Sequence, residues 1–161
     1  MEWELMGNMV EALAENLKAK GWWLATAESC TGGLISSELT NAPGSSTWFT
    51  GGLVAYSNKI KQEMLDVPGE VLTANGAVSR ETVLAMARGA ARRFSTQCAL
   101  AVSGIAGPDG GTPEKPVGTV WIAWCVNGQA TAELFQFGGG RLDVKRQSAM
   151  EAVMGMAART G

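Results

Sequence analysis

Histidine is absent from the 161 residues, and the absence removes whole classes of chemistry. A Ser-His-Asp triad or a Cys-His pair cannot form within the chain, and a His-ligated zinc or iron site is excluded too. Cysteine is scarce: Cys30, Cys98 and Cys125 are far apart, with no CxxC pair. They make a poor zinc set and fit a reducing, cytoplasmic setting, with Cys98 and Cys125 as small core residues inside apolar runs. No stretch approaches the ~18–20 consecutive apolar residues that span a bilayer, so no membrane partner is expected. The acidic start Met1-Glu2-Trp3-Glu4 lacks the positive opening of a secretory signal. Nor is there an excess of positive charge: 13 basic residues stand against 15 acidic ones, net −2, which argues against a nucleic-acid surface.

What is present is 46% apolar sequence without low-complexity runs, repeats or an interdomain linker, enough for one domain over residues 1–161 with its own core. Glu2 to Lys20 carries Leu5, Met9, Leu13 and Leu17 at helical spacing, and Gly21 stops it. Trp22 to Thr26 reads as the first strand and Gly32 to Thr40 as the second helix. Thr47 to Tyr56 is a strand in which Gly51 and Gly52 suggest a bulge or a close backbone approach. Ser57 or Asn58 caps a short helix from Lys59 to Leu65, and Glu70 to Ala77 is a connector with room for one helical turn. Ser79 opens the clearest helix, which runs to about Ser95. Cys98 to Ser103 is a wholly apolar strand of the kind buried in mid-sheet. After the Gly/Pro loop 104–116, strands Gly118 to Val126 and Ala130 to Phe137 meet at Asn127-Gly128, the best hairpin signal in the chain. Arg141 to Arg159 is a closing amphipathic helix. The pattern implies an α/β domain: three layers, α/β/α, with a mostly parallel mixed sheet and a C-terminal hairpin.

Ligands bind at the carboxyl ends of parallel strands. Three such turns are rich in small residues: Ser29 to Gly33, Tyr56 to Lys61, and Ser103 to Gly111. In the first, Ser29 is the candidate nucleophile, and helix-start N–H groups could receive negative charge. The plainer reading is that Ser29 or Thr31 caps the helix. Without histidine the base for a serine must be Lys, Tyr, Asp, Glu or a thiolate; a desolvated lysine is the natural candidate, and spacing leaves Lys59 and Lys61 equal. Tyr56, the only tyrosine, relays a proton, orients a hydroxyl or packs. Cys30 is a second-placed nucleophile, since a helix start can depress a thiol pKa. The Ser103–Thr112 loop, with Gly104 and Gly107, exposes N–H groups that cradle an anion, and Asp109 binds a hydroxyl or holds the turn. Arg141, Lys145 and Arg146 place positive charge at a helix start, where it opposes the dipole unless an anion is near. The alternative is Arg141 paired with Asp143. The six tryptophans suit either an interface, as in a homo-oligomer, or ordinary core packing.

Several long motifs occur in order: Thr26-Ala27-Glu28-Ser29-Cys30-Thr31-Gly32-Gly33, Pro43-Gly44-Ser45-Ser46, Ala55-Tyr56-Ser57-Asn58-Lys59-Ile60-Lys61, Gly76-Ala77-Val78-Ser79, Ser103 to Gly111, and Lys115-Pro116-Val117-Gly118-Thr119-Val120. Over essentially its whole length the chain resembles the CinA C-terminal domain family. The resemblance implies hydrolysis of nicotinamide mononucleotide to nicotinate mononucleotide and ammonia, with no cofactor or metal. It implies Ser29 as nucleophile, Lys61 as base and Tyr56 as assistant, which resolves the choice between the two lysines. Substrate contacts are expected from Cys30, Thr31, Gly32, Gly33, Ser46, Asn58, Gly104, Gly107, Asp109, Arg141 and Arg146. The family often has Gly-Asp-Arg before its last helix. Here the stretch is Gly139-Gly140-Arg141, with the acid missing. The pyrophosphatase domain fused ahead of some members is not expected in this chain. The competing reading is a nucleotide-binding regulatory module without turnover; a DNA-binding role is weakened by the charge balance.

Overall fold

The computed structural model describes residues 2–161. In chain order the elements are α1 (Glu2–Lys20), β1 (Leu24–Glu28), α2 (Leu34–Thr40), a 3-10 turn (Ser45–Thr47), β2 (Phe49–Val54), α3 (Asn58–Leu65), α4 (Gly69–Asn75), α5 (Arg80–Phe94), β3 (Cys98–Gly104), β4 (Thr119–Val126), β5 (Gln129–Gln136) and α6 (Arg141–Thr160). The expected helices and strands all form. The first strand starts two residues later than Trp22 and continues through Glu28. The Glu70–Ala77 connector contains a seven-residue helix, α4.

The five strands are ordered β2-β1-β3-β4-β5. β1 pairs in parallel with β2 and β3, while β3–β4 and β4–β5 are antiparallel. Pairings therefore divide evenly, although four of the five strands run the same way. The register shift of β2 against β1 falls between the partners of Leu24 and Ala25, where Gly51 replaces Thr50 in the pairing, as the Gly51-Gly52 pattern foretold. Asn127 and Gly128 both adopt positive φ (48° and 82°), the geometry a two-residue hairpin needs.

Each sheet face carries its own core. Leu24, Leu100, Val102, Ile122 and Trp124 pack with α1, α2 and α6. Ala27, Ala99, Ala101 and Ala123 pack with α3, α4 and α5. The small residues on this second face let α5 lie close to the sheet. Trp48 and Trp124 are fully buried, whereas Trp3 and Trp23 are exposed by 41% and 38%. Two glycines set the helix positions that matter for the site. A Cβ on Gly89 would lie 1.9 Å from the Leu65 carbonyl oxygen, so α5 packs against the end of α3 only with glycine there. A Cβ on Gly155 would lie 2.2 Å from the Trp124 ring, so α6 rests flush on β4. Among the described residues no helix is long and apolar enough to cross a membrane.

The order β2-β1-β3 means that the chain leaves β1 in one direction and returns past it in the other. That reversal opens a crevice at the carboxyl end of β1. The Ser29 turn, the Ala55–Lys61 segment and the Ile105–Gly118 loop all begin at this edge.

Candidate active site

Side chains alternate faces along a strand, so successive residues at the end of β1 serve opposite layers. Thr26 and Glu28 face α2. The Glu28 carboxylate is fully buried and accepts from Ile35 N (2.9 Å), Ser36 N (3.0 Å) and Ser36 Oγ (2.7 Å). Thr26 Oγ1 lies 2.9 Å from the same Ser36 hydroxyl. This corrects two expectations. Neither Ser29 nor Thr31 caps α2: Gly33 is the N-cap, at φ 104°, with no side-chain bond of its own, and Glu28 performs the capping from the neighbouring strand. The first free N–H groups of α2 are thus committed to a carboxylate and are closed to a substrate anion. Sequence reasoning misses the part played by Glu28. Its available signal is an acidic residue one strand step before a turn whose helix has no Ser, Thr, Asp or Asn at the N-cap.

Ser29 then faces the opposite layer. Its backbone N–H continues the ladder to Val102 O (2.9 Å), which fixes the turn onto the central strands. Lys61, on the first turn of α3, is 1% exposed and points back toward the end of β1. Its Nζ donates to Ser29 Oγ (3.0 Å), Ala55 O (2.8 Å) and Tyr56 O (2.9 Å). Ser57 sets the start of α3 by accepting from Ile60 N (3.1 Å), so the lysine approaches from a fixed helix. Burial lowers the Lys61 pKa from 10.5 to about 8. Lys59, its rival on spacing, is exposed and pairs with Glu63 at 3.9 Å.

Cys30 is buried, and its pKa is pushed up to about 12, chiefly by desolvation. This corrects the expectation of a thiol depressed by the helix start and removes the thiolate a nucleophile needs. Thr31 is fully buried, and its hydroxyl has no hydrogen-bond partner among the described residues. Tyr56 contributes its carbonyl to Lys61, while its side chain is 62% exposed at the rim. Asn58 is exposed beside it, and Asp109 is exposed on the glycine loop.

The cations of α6 diverge. Arg141 Nη1 donates to Gly107 O at 2.7 Å, tying the helix start to the glycine loop. Asp143 does not pair with Arg141; its Oδ2 accepts from Gly140 N (2.8 Å) and caps α6. Arg146 lies over the Trp3 ring, 5.9 Å from its centroid, in a groove lined also by Glu2 and Phe137, and is not brought to Ser29. Lys145 does reach the Ser29 turn: its Nζ is 3.6 Å from where a Cβ on Gly32 would be. Ser46 sits before β2, beside Trp23 and Phe49, at the amino end of the parallel strands and the opposite edge from Ser29. The structure therefore brings together Ser29 to Gly33, Lys61 and the Tyr56–Asn58 rim, and leaves Ser46 and Arg146 outside the group.

Comparison with known proteins places the chain in a family. The CinA C-terminal domain matches residues 7–159. The nicotinamide-nucleotide amidohydrolase PncC of Pseudomonas putida is 49% identical over 144 residues, covering 89% of this chain and 90% of its own. The protein of the same name from Enterobacter agglomerans is 50% identical over 135 residues, covering 83% and 82%. A CinA-like protein of Gemmatimonas aurantiaca is 48% identical, but the match covers 81% of this chain and only 30% of that longer one. Among solved structures, the competence/damage inducible protein CihA of Agrobacterium tumefaciens superposes with a TM-score of 0.92 at 41% identity, covering 95% of this chain and 94% of that one.

Proposed function

The chain belongs to the CinA C-terminal domain family, and from that membership we propose that it is a nicotinamide-nucleotide amidase using a Ser29–Lys61 pair. It hydrolyses the carboxamide of nicotinamide mononucleotide to nicotinate mononucleotide and ammonia. The reading rests on one contact, the buried Lys61 Nζ 3.0 Å from Ser29 Oγ. A neutral amine has two N–H bonds and one lone pair. The Ala55 and Tyr56 carbonyls take the two N–H bonds, which leaves the lone pair for the serine proton. Lowering the pKa from 10.5 to about 8 raises the neutral fraction near pH 7 by about 300-fold.

Ser29 Oγ attacks the carboxamide carbon as Lys61 takes its proton. The tetrahedral intermediate collapses, Lys61 hands the proton to the departing nitrogen, and ammonia leaves. Water, deprotonated by the regenerated neutral lysine, then cleaves the acyl-serine. The backbone N–H groups of Thr31 and Gly33 donate to no acceptor among the described residues and lie on the turn that carries Ser29, which suits them to the oxyanion. Such a donor is worth ~2.7–4 kcal/mol. Tyr56, whose side chain is exposed at the rim beside this pair, assists the proton transfer. Neither metal nor cofactor takes part.

Incubation with nicotinamide mononucleotide tests the proposal. Ammonia and nicotinate mononucleotide should appear in equal amounts with the native chain and fall at least ~10³-fold in Ser29→Ala, the scale of losing a nucleophile. Nucleotide binding without ammonia release would favour the regulatory module instead.

A further inference from the structure

Of the three cations that open α6, two are engaged: Arg141 by the Gly107 carbonyl and Arg146 by the Trp3 ring. Lys145 is different. It is half-buried, and its ammonium makes no hydrogen bond or ion pair among the described residues. It points at Gly32, whose N–H closes a tight turn onto Ser29 O at 3.1 Å. The missing Cβ on Gly32 leaves the lysine 3.6 Å from that position, and the same charge reaches the buried Cys30 thiol. An ammonium left without a partner beside this turn is placed to receive an anion at Gly32. Glu28 already occupies the N–H groups of α2, so they cannot serve that anion.

Lys145 approaches from the α6 layer, whereas Lys61 approaches from the α3 layer. The two amines therefore flank the Ser29 turn from opposite faces of the sheet, one beside the hydroxyl and one beside Gly32. A substrate with its amide at one end and a negative group at the other would meet one amine with each end. We propose that Lys145 binds the phosphate monoester of the substrate, making it the residue that selects nucleotide over nucleoside; this rests on the amidase reading above.

The test uses Ser29→Ala as a non-hydrolysing background and reads affinity by calorimetry for nicotinamide mononucleotide and for nicotinamide riboside, which lacks the phosphate. Adding Lys145→Gln should weaken the nucleotide at least ~10-fold and the riboside less than twofold. Lys145→Arg, which keeps the charge, should stay within threefold of the background. Equal weakening of both compounds, unchanged nucleotide affinity in Lys145→Gln, or no nucleotide binding to the background would each overturn the assignment. Failure of the amidase reading shows separately, as absence of ammonia release by the native chain whatever the binding results.

Discussion

At the scale of single residues, Lys61 carries the most consequence. Its side chain is sequestered, and burial holds its pKa near 8 against 10.5 in the unfolded chain. Between these values the unfolded chain holds the extra proton, so stability rises with pH from about 8 to 10.5, and below 8 the cost is constant. The full difference corresponds to about 3 kcal/mol. Urea titrations at pH 7.5 and 9.5 should show the native chain gaining stability relative to Lys61→Met; parallel curves would mean the lysine is not desolvated. Cys30 offers a second check. With its thiol pushed up to about 12 and buried, it should resist iodoacetamide until the chain unfolds, and Cys30→Ala should keep activity within tenfold. Rapid alkylation of Cys30 in the native state would count against this packing. The choice of base was open to the sequence only through the family motif, because Lys59 and Lys61 differ in burial and not in spacing. The fate of Cys30 was not legible, since the helix start that would depress its pKa is already occupied by Glu28.

At the scale of elements, the site depends on how β1, α2 and α3 are joined. Glu28 binds α2 to β1 through three hydrogen bonds to a buried carboxylate. Glu28→Ala should cost about 2–4 kcal/mol, because it leaves buried N–H groups without an acceptor, and it should lower kcat by loosening the Ser29 turn. Chemical denaturation and steady-state rates measure both effects. Gly89 performs the corresponding service for α3. Gly89→Ala forces a methyl group against the Leu65 carbonyl, and overpacking of that kind costs about 1–3 kcal/mol. Displacement of α3 should reduce activity more than the stability loss alone explains, whereas unchanged activity would show that Lys61 is held by its own carbonyl contacts. The elements themselves were largely legible: periodicity placed α1, α5, α6 and the Asn127-Gly128 hairpin within a residue or two. Long-range capping was not legible, because Glu28 and Ile35 meet through the strand-to-helix turn rather than through the local pattern that names an N-cap.

At the scale of the whole molecule, the order β2-β1-β3 gathers three loops at one edge, and the alternation of strand and helix with a terminal hairpin made that edge readable in advance. Ser46 shows where such reading stops. A motif residue close in sequence to β2 lies at the far end of the sheet, because the chain must run back along α2 before β2 begins. The direction in which each α6 cation points likewise depends on how α6 lies over β4, which Gly155 and Trp124 decide. The central claim, a buried serine–lysine pair that hydrolyses an amide without histidine, is tested most directly by one profile. Ammonia release from nicotinamide mononucleotide is followed from pH 6 to 10 in the native chain, Ser29→Ala and Lys61→Met. The native kcat/KM should rise to a plateau with a midpoint near pH 8, the pKa of the free base, while both variants stay at background. A native profile without an inflection near 8, or either variant within tenfold of the native chain, would contradict it.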